Sequence, residues 1–375
     1  MLQSLFVYPM LIIVMLYFSY VGRAKKAWKY MVYGFVAYAI IFGMRYGVGV
    51  DYFSYKEVYE VLGGRFGPTE SAEKMEWGYR LFSQALAVSG VHYSVYFGIV
   101  AFLQIWITFM AFHDKYVLYP YLVFTFMVSC CMWLTYSNGL RQILVVSLWF
   151  CALRLAVERR LWQYYALVAI GLLAHNSAAL LLPMYPLVRY MPRDWFKSIV
   201  IQFALLAAAL VVMKINIIQS LFGRLDSLLL LSGYEIYAQS NQAENVDAEV
   251  SIGIGFVITL VVIVLMILYS KRMKDHFDSP LLSAYYNMFF IGVLLKYIFI
   301  SSNLFGRINY FFINVMFIVL AALLHYAHRE DRRLFYVLLC LSVLSFFAVV
   351  LKGSENTADF LFFFQDDLHY LKTHM

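Results

Sequence analysis

The sequence predicts an all-α fold: a polytopic integral membrane protein with about 12 transmembrane helices. Three observations predict it. Of 375 residues, 63% are hydrophobic and 14% charged, where soluble domains carry about 45–50% apolar and about 25% charged residues. The apolar residues gather in runs near the roughly 20 that a helix needs to cross a core of about 30 Å. The charges between the runs separate by sign. With a mean hydropathy of +0.73, this excludes an ordinary soluble enzyme, a disordered chain and a small secreted scaffold. Catalysis at a membrane stays open.

The runs are 2–21, 28–44, 94–112, 116–134, 141–157, 161–175, 176–191, 197–215, 252–270, 281–300, 306–325 and 334–351. The first has no basic residue ahead of it and is followed by Arg23, Lys25 and Lys26, so it reads as a retained span and not a cleaved signal. The pair 161–175 and 176–191 is short and parted only by His175, Asn176 and Ser177; it is two short spans or one re-entrant hairpin. One set of loops (22–29, 113–115, 154–160, 189–197, 271–278, 329–333) holds 17 Lys/Arg against 7 Asp/Glu. The other (45–80, 135–141, 214–249, 301–307 and the tail after 351) holds 11 against 15. The positive set is cytoplasmic by the positive-inside rule. Cytoplasmic loops are then short, and two longer periplasmic loops span about 45–93 and 216–251. The whole chain, 1–375, reads as one transmembrane domain. Cys130, Cys131, Cys151 and Cys340 sit in apolar runs without metal-ligand spacing and read as small hydrophobes. No cytoplasmic loop is long enough for a nucleotide-binding domain, and no metal, cofactor or nucleic acid is expected.

Cytoplasmic Lys/Arg clusters read as topology and headgroup contacts with membrane lipid. On the outer side, single basic residues adjoin spans, where a charge is expensive without a partner. Arg45 lies in Met44-Arg45-Tyr46-Gly47-Val48-Gly49-Val50-Asp51-Tyr52, whose glycines let the backbone turn back sharply. Arg45 and Asp51 either clasp each other or face a ligand. Arg141, in Asn138-Gly139-Leu140-Arg141-Gln142, starts a span. An arginine there opposes the helix dipole unless an anion sits between them; alternatively it snorkels to headgroups. Arg307, in Gly306-Arg307-Ile308-Asn309-Tyr310, repeats that pattern. His175 is a helix-packing residue, a general base, or a donor to phosphate. Glu76, in Glu76-Trp77-Gly78-Tyr79, joins a carboxylate to an aromatic, which suits sugar binding and hydroxyl deprotonation. A guanidinium fork suits phosphate, so the ligand that fits is an anionic lipid headgroup.

In these ordered segments, from Arg45-Tyr46-Gly47-Val48-Gly49-Val50-Asp51-Tyr52-Phe53-Ser54-Tyr55 to Gly306-Arg307-Ile308-Asn309-Tyr310, the chain resembles the EpsG/Wzy-type polysaccharide polymerases of bacteria, which extend O-antigen or exopolysaccharide. It departs from them at Trp77, where a proline is expected, and at Asn176, where an aromatic is commoner. The resemblance implies a glycosyltransferase that joins undecaprenyl-diphosphate-linked oligosaccharide donor and acceptor on the outer face, without metal. Its implied site has Arg45, Arg141 and Arg307 on the diphosphate, and Asp51, Glu76 or His175 as base. Tyr52, Tyr55, Asn138, Gln142 and Tyr310 are expected to contact substrate, and a chain-length regulator is an expected partner. Two other readings compete. A membrane O-acyltransferase of polysaccharide would use His175 but would want a basic acyl-donor site on the cytoplasmic side. A lipid-linked oligosaccharide flippase would line a path through the middle with charge, whereas here charge collects at one face.

Overall fold

A computed structural model describes residues 2–64, 75–190, 193–215, 253–300, 302–352 and 359–365, with the backbone alone for 303, 304 and 352. The loop expected over 216–251, and 65–74 of the first long loop, lie outside the described residues. The described residues are 81% helical with almost no strand, and the chain is an all-α polytopic membrane protein. It forms two compact units: Met1–Tyr190 with Ala327–Met375, and Met191–Tyr326.

In the first unit α1 (Leu2–Lys25) packs on α2 (Lys29–Gly43). A two-residue strand β1 (Arg45–Tyr46) follows, then α3 (Tyr52–Leu62), α4 (Trp77–Val88) and α5 (Tyr93–Met110). His92 caps α5 by accepting the Ser94 N–H. α2 and α5 cross closely because Gly43 faces Gly98; a Cβ on Gly43 would lie 2.7 Å from the Ser94 carbonyl oxygen.

The expected span 116–134 is a broken helix. After a 3₁₀ turn (Tyr116–Leu118) come α6 (Tyr119–Phe124), a π-helical turn (Thr125–Ser129) and α7 (Met132–Ser137). Cys131 is left-handed at the break, φ 42°. Apolar surroundings require the freed backbone groups to find partners: the Cys130 N–H donates to the Thr125 carbonyl (2.9 Å), and the Trp133 indole N–H to that of Met127 (3.1 Å). Gly139, at φ 44°, then turns the chain into α8 (Leu140–Val157), which packs between α5 and α9 (Leu161–Ala174).

The expected run 176–191 is not one helix. It holds a 3₁₀ segment (Asn176–Leu181) and the seven-residue α10 (Met184–Tyr190), because Pro183 interrupts it.

The second unit contains α11 (Ile199–Ile215), α12 (Ile254–Leu268), α13 (Ser270–Phe277), α14 (Pro280–Ile298) and α15 (Asn303–Ile313). Ser279 and Ser302 cap α14 and α15. α14 and α15 meet closely at Gly292, whose carbonyl accepts from the Asn309 amide at 3.0 Å. α16 (Met316–Glu330) and α17 (Arg332–Lys352) follow, and β2 (Leu361–Phe362) pairs antiparallel with β1.

Among the described residues six helices are long and apolar enough to cross a membrane, one of them Phe305–Glu330 running through α15 and α16, and a seventh if α12 and α13, bent by 55°, count as one. Helices over 29–43, 116–129, 161–174 and 199–215 are apolar but shorter. Length and composition of the described residues thus do not confirm the expected count of about 12. Helix breaks, invisible to hydropathy, shorten several of the runs.

Candidate functional site

The residues singled out in the first unit gather near the start of α8. The loop after α2 is held from within by Arg45, which is 1% exposed. Its guanidinium donates to the carbonyl of Phe42 and, at 3.3 Å, to that of Val48. It lies over the rings of Phe97 (4.8 Å) and Tyr52 (5.7 Å). Arg45 thus makes no ion pair with Asp51; it ties the two sides of its own turn. Gly49, at φ 101°, brings the loop so close to α7 that a Cβ there would sit 2.6 Å from the Ser137 carbonyl oxygen. Across that approach the Asp51 N–H donates to Asn138 Oδ1 (3.1 Å), and the Gly139 N–H to Asp51 Oδ2 (3.2 Å). Asp51 and Asn138 thereby fix the turn that launches α8.

Arg141, in the first turn of α8, pairs with Glu76 through Nη1 and Oε2. The pair is partly buried: 24% of the arginine side chain and 9% of the glutamate is exposed. Arg141 Nε is buried with no hydrogen-bond partner among the described residues. Tyr55 hydrogen-bonds Arg141 as well; burial raises the Tyr55 hydroxyl above the usual phenol range, and Arg141 pulls it the other way. The other Glu76 oxygen accepts the Asn176 N–H at 3.1 Å and lies 4.0 Å from His175 Nε2.

Glu76 reaches this place because Gly78 lets α4 rest on the end of α9. A Cβ at Gly78 would lie 2.5 Å from Leu173 Cβ and 2.7 Å from its carbonyl oxygen. His175 is oriented by its own turn: Nδ1 accepts the Ser177 N–H at 3.0 Å and contacts Ser177 Oγ at 2.8 Å. With Nδ1 occupied as an acceptor, the neutral ring carries its proton on Nε2, the nitrogen facing Glu76. In that tautomer the Nε2–H points toward the cluster.

Tyr55, Glu76, Arg141 and His175 are thus brought together from segments up to 120 residues apart, with Asp51 and Asn138 one turn ahead of Arg141. Tyr52 and Gln142 are buried, Tyr52 among Tyr46, Phe53 and Phe97. Arg307 and Tyr310 belong to the second unit, where Arg307 is exposed and Tyr310 partly buried on α15. Sequence reasoning missed the Asn176 backbone donor, the Phe97 ring under Arg45 and the contact of Gly78 with Leu173. Only the last left a signal, a glycine directly after Glu76-Trp77; a backbone donor and one phenylalanine in an apolar run leave none. Among the described residues no three His, Cys, Asp or Glu side chains form a metal-binding group.

The cluster combines an anion-pairing arginine at a helix N-terminus, two carboxylates and an imidazole. That set can hold a phosphate and take up or supply a proton. Comparison with curated proteins and with solved structures finds no match. The EpsG family model matches residues 28–365, from the start of α2 through β2. This multi-pass membrane protein therefore belongs to the EpsG family, a family of Wzy-like polymerases of polysaccharide biosynthesis.

Proposed function

We propose that the protein polymerises polysaccharide from undecaprenyl-diphosphate-linked oligosaccharides, at a site facing the outside of the bacterial inner membrane. The observation that carries this reading is the meeting of Arg141, Glu76 and His175 at the N-terminus of α8. In the reaction, a hydroxyl oxygen of the acceptor repeat attacks the anomeric carbon of the growing chain. The carbon–oxygen bond to the donor diphosphate breaks, and undecaprenyl diphosphate leaves with the electron pair. Charge grows on the departing phosphate, where Arg141 and the N-terminal dipole of α8 stabilise it. In the resting site Glu76 occupies the anion position of Arg141; the substrate phosphate displaces it. Glu76 then stays hydrogen-bonded to the Asn176 N–H. His175 supplies an Nε2–H donor to the same phosphate. The hydroxyl proton goes to Asp51, which keeps one carboxylate oxygen beyond that used on Gly139. Arg45 serves by shaping the loop that presents Asp51. Tyr55 steers the Arg141 fork, and Asn138 fixes Asp51.

The test is reconstitution in liposomes with lipid-linked repeat units, with chain length read on a gel. Arg141→Lys keeps the charge and loses the fork, so polymerisation should fall about 10²-fold or more, the scale of one transition-state donor. A ladder formed at the parental rate would overturn this assignment. Chains that stop at single repeats in a deletion strain separate polymerase from flippase, whose loss leaves no repeats outside.

A further inference from the structure

The tail beyond α17 returns to the loop that carries Arg45. β2 pairs with β1 so that Phe362 stands opposite Arg45 and Leu361 opposite Tyr46. The Phe363 N–H donates to the Met44 carbonyl at 3.0 Å. The tail is tied to α1 as well: the Phe360 N–H donates to Ser4 Oγ (2.9 Å), and the Gln3 amide to Gln365 Oε1 (2.9 Å). Phe360 is 1% exposed and meets the Tyr8 ring edge-on at 5.7 Å. Phe363 sits 5.2 Å from the His92 ring at the start of α5.

A two-residue ladder does not stabilise itself in water, so this one is held by its side-chain anchors. Its placement gives it a consequence. β1 leads directly into the turn that Arg45 ties together, that turn presents Asp51, and Asp51 binds the residue before α8 and Arg141. We infer that Asp359–Gln365 is a positioning element for glycosyl transfer: a clasp that holds the 45–51 loop against the start of α8, and so sets where Asp51 and Arg141 stand. This inference rests on the polymerase reading for its catalytic consequence, and on the hydrogen bonds alone for the clasp.

The experiment separates the two. Val48, 0% exposed inside the clasped loop, is replaced by a single reporter cysteine in full-length protein lacking the four native ones. Its labelling by a maleimide is timed beside the polymer ladder. Phe363→Pro removes both the ring and the donor to Met44; Phe363→Ala removes the ring only; Phe363→Tyr keeps both. Phe363→Pro should label at least about tenfold faster, as a locally opened segment does. It should also lose at least about tenfold in kcat, with KM for the lipid-linked repeat little changed. Phe363→Ala should fall between, and Phe363→Tyr should match the parent. A chain stopped before Asp359 checks the same point should the proline variant fail to fold. Parental labelling and parental rate in Phe363→Pro and in the shortened chain would overturn the clasp. Faster labelling with an unchanged ladder would overturn its positioning role. A parent that labels slowly but makes no ladder would count against the polymerase reading and leave the clasp standing.

Discussion

Arg45 and Arg141 occupy similar places in the sequence, each at a span end, yet their side chains do opposite work. Arg45 turns back onto its own carbonyls and two aromatic faces, whereas Arg141 reaches across to a carboxylate delivered by another helix. The difference lies in what each finds within reach. Glycines on both sides of Val48 fold the Arg45 turn over its guanidinium, while the helical start at Leu140 projects Arg141 outward. A third charge pattern, outside the spans, carries a pH prediction. Burial would raise the Asp114 carboxyl, but hydrogen bonds from Arg154 (2.7 Å) and Lys115 prevail and hold it at about 2, below its ordinary 3.8. A folded-state value below the unfolded one means that the stabilisation is complete above the unfolded value. It is lost as pH falls from there through about 2. Asp114 is partly exposed, so the contribution stays below about 1 kcal/mol. Melting curves between pH 4 and 2 should therefore fall less steeply for Asp114→Asn than for the parent, by roughly 1–2 °C; parallel curves would count against it.

At the scale of elements, two close approaches assemble the site, and both depend on a missing side chain. Gly49 seats the first loop on α7, and Gly78 seats α4 on the end of α9. The neighbours at Gly78 include the Leu173 carbonyl, which cannot swing aside. Gly78→Ala should therefore push α4 outward, destabilise the protein by about 1–3 kcal/mol, and carry Glu76 away from Arg141 and Asn176. The expected readout is a lower melting temperature together with at least a tenfold loss of polymer. Gly90→Ala is the control: Gly90 has φ 75° and open space around it, so it should show backbone strain in the melting curve with the ladder intact. Equal ladders for both variants would show that the seating of α4 does not matter. These approaches were half legible. Glycines in the Arg45 segment marked a sharp turn of the backbone, and Gly78 stood unread beside Glu76. They did not say that the partners would be Ser137 and Leu173. The breaks at Thr125–Ser129 and Cys131 left no mark, since no proline or glycine stands at either.

For the whole molecule, the chain divides into a unit that holds Arg45, Asp51, Glu76, Arg141 and His175 and a unit that holds Arg307. The expectation that Arg307 serves the same diphosphate as Arg141 comes from the sequence pattern, and kinetics can test it. If both arginines act on one leaving group, Arg141→Lys and Arg307→Lys combined should depart from additivity by more than about 0.5 kcal/mol. Strict additivity would assign Arg307 elsewhere. What the sequence determined by itself was the solvent of the protein, its helical class and its family, because hydropathy sums over whole runs and short motifs keep their order along the chain. Only the tertiary structure decided how many runs stay unbroken. It alone paired Arg141 with Glu76, turned His175 Nε2 toward Glu76 and brought the tail strand back to Arg45. Those outcomes depend on which distant segments touch, and a hydrogen bond between residues 65 or 319 positions apart leaves no periodic trace in either stretch of sequence.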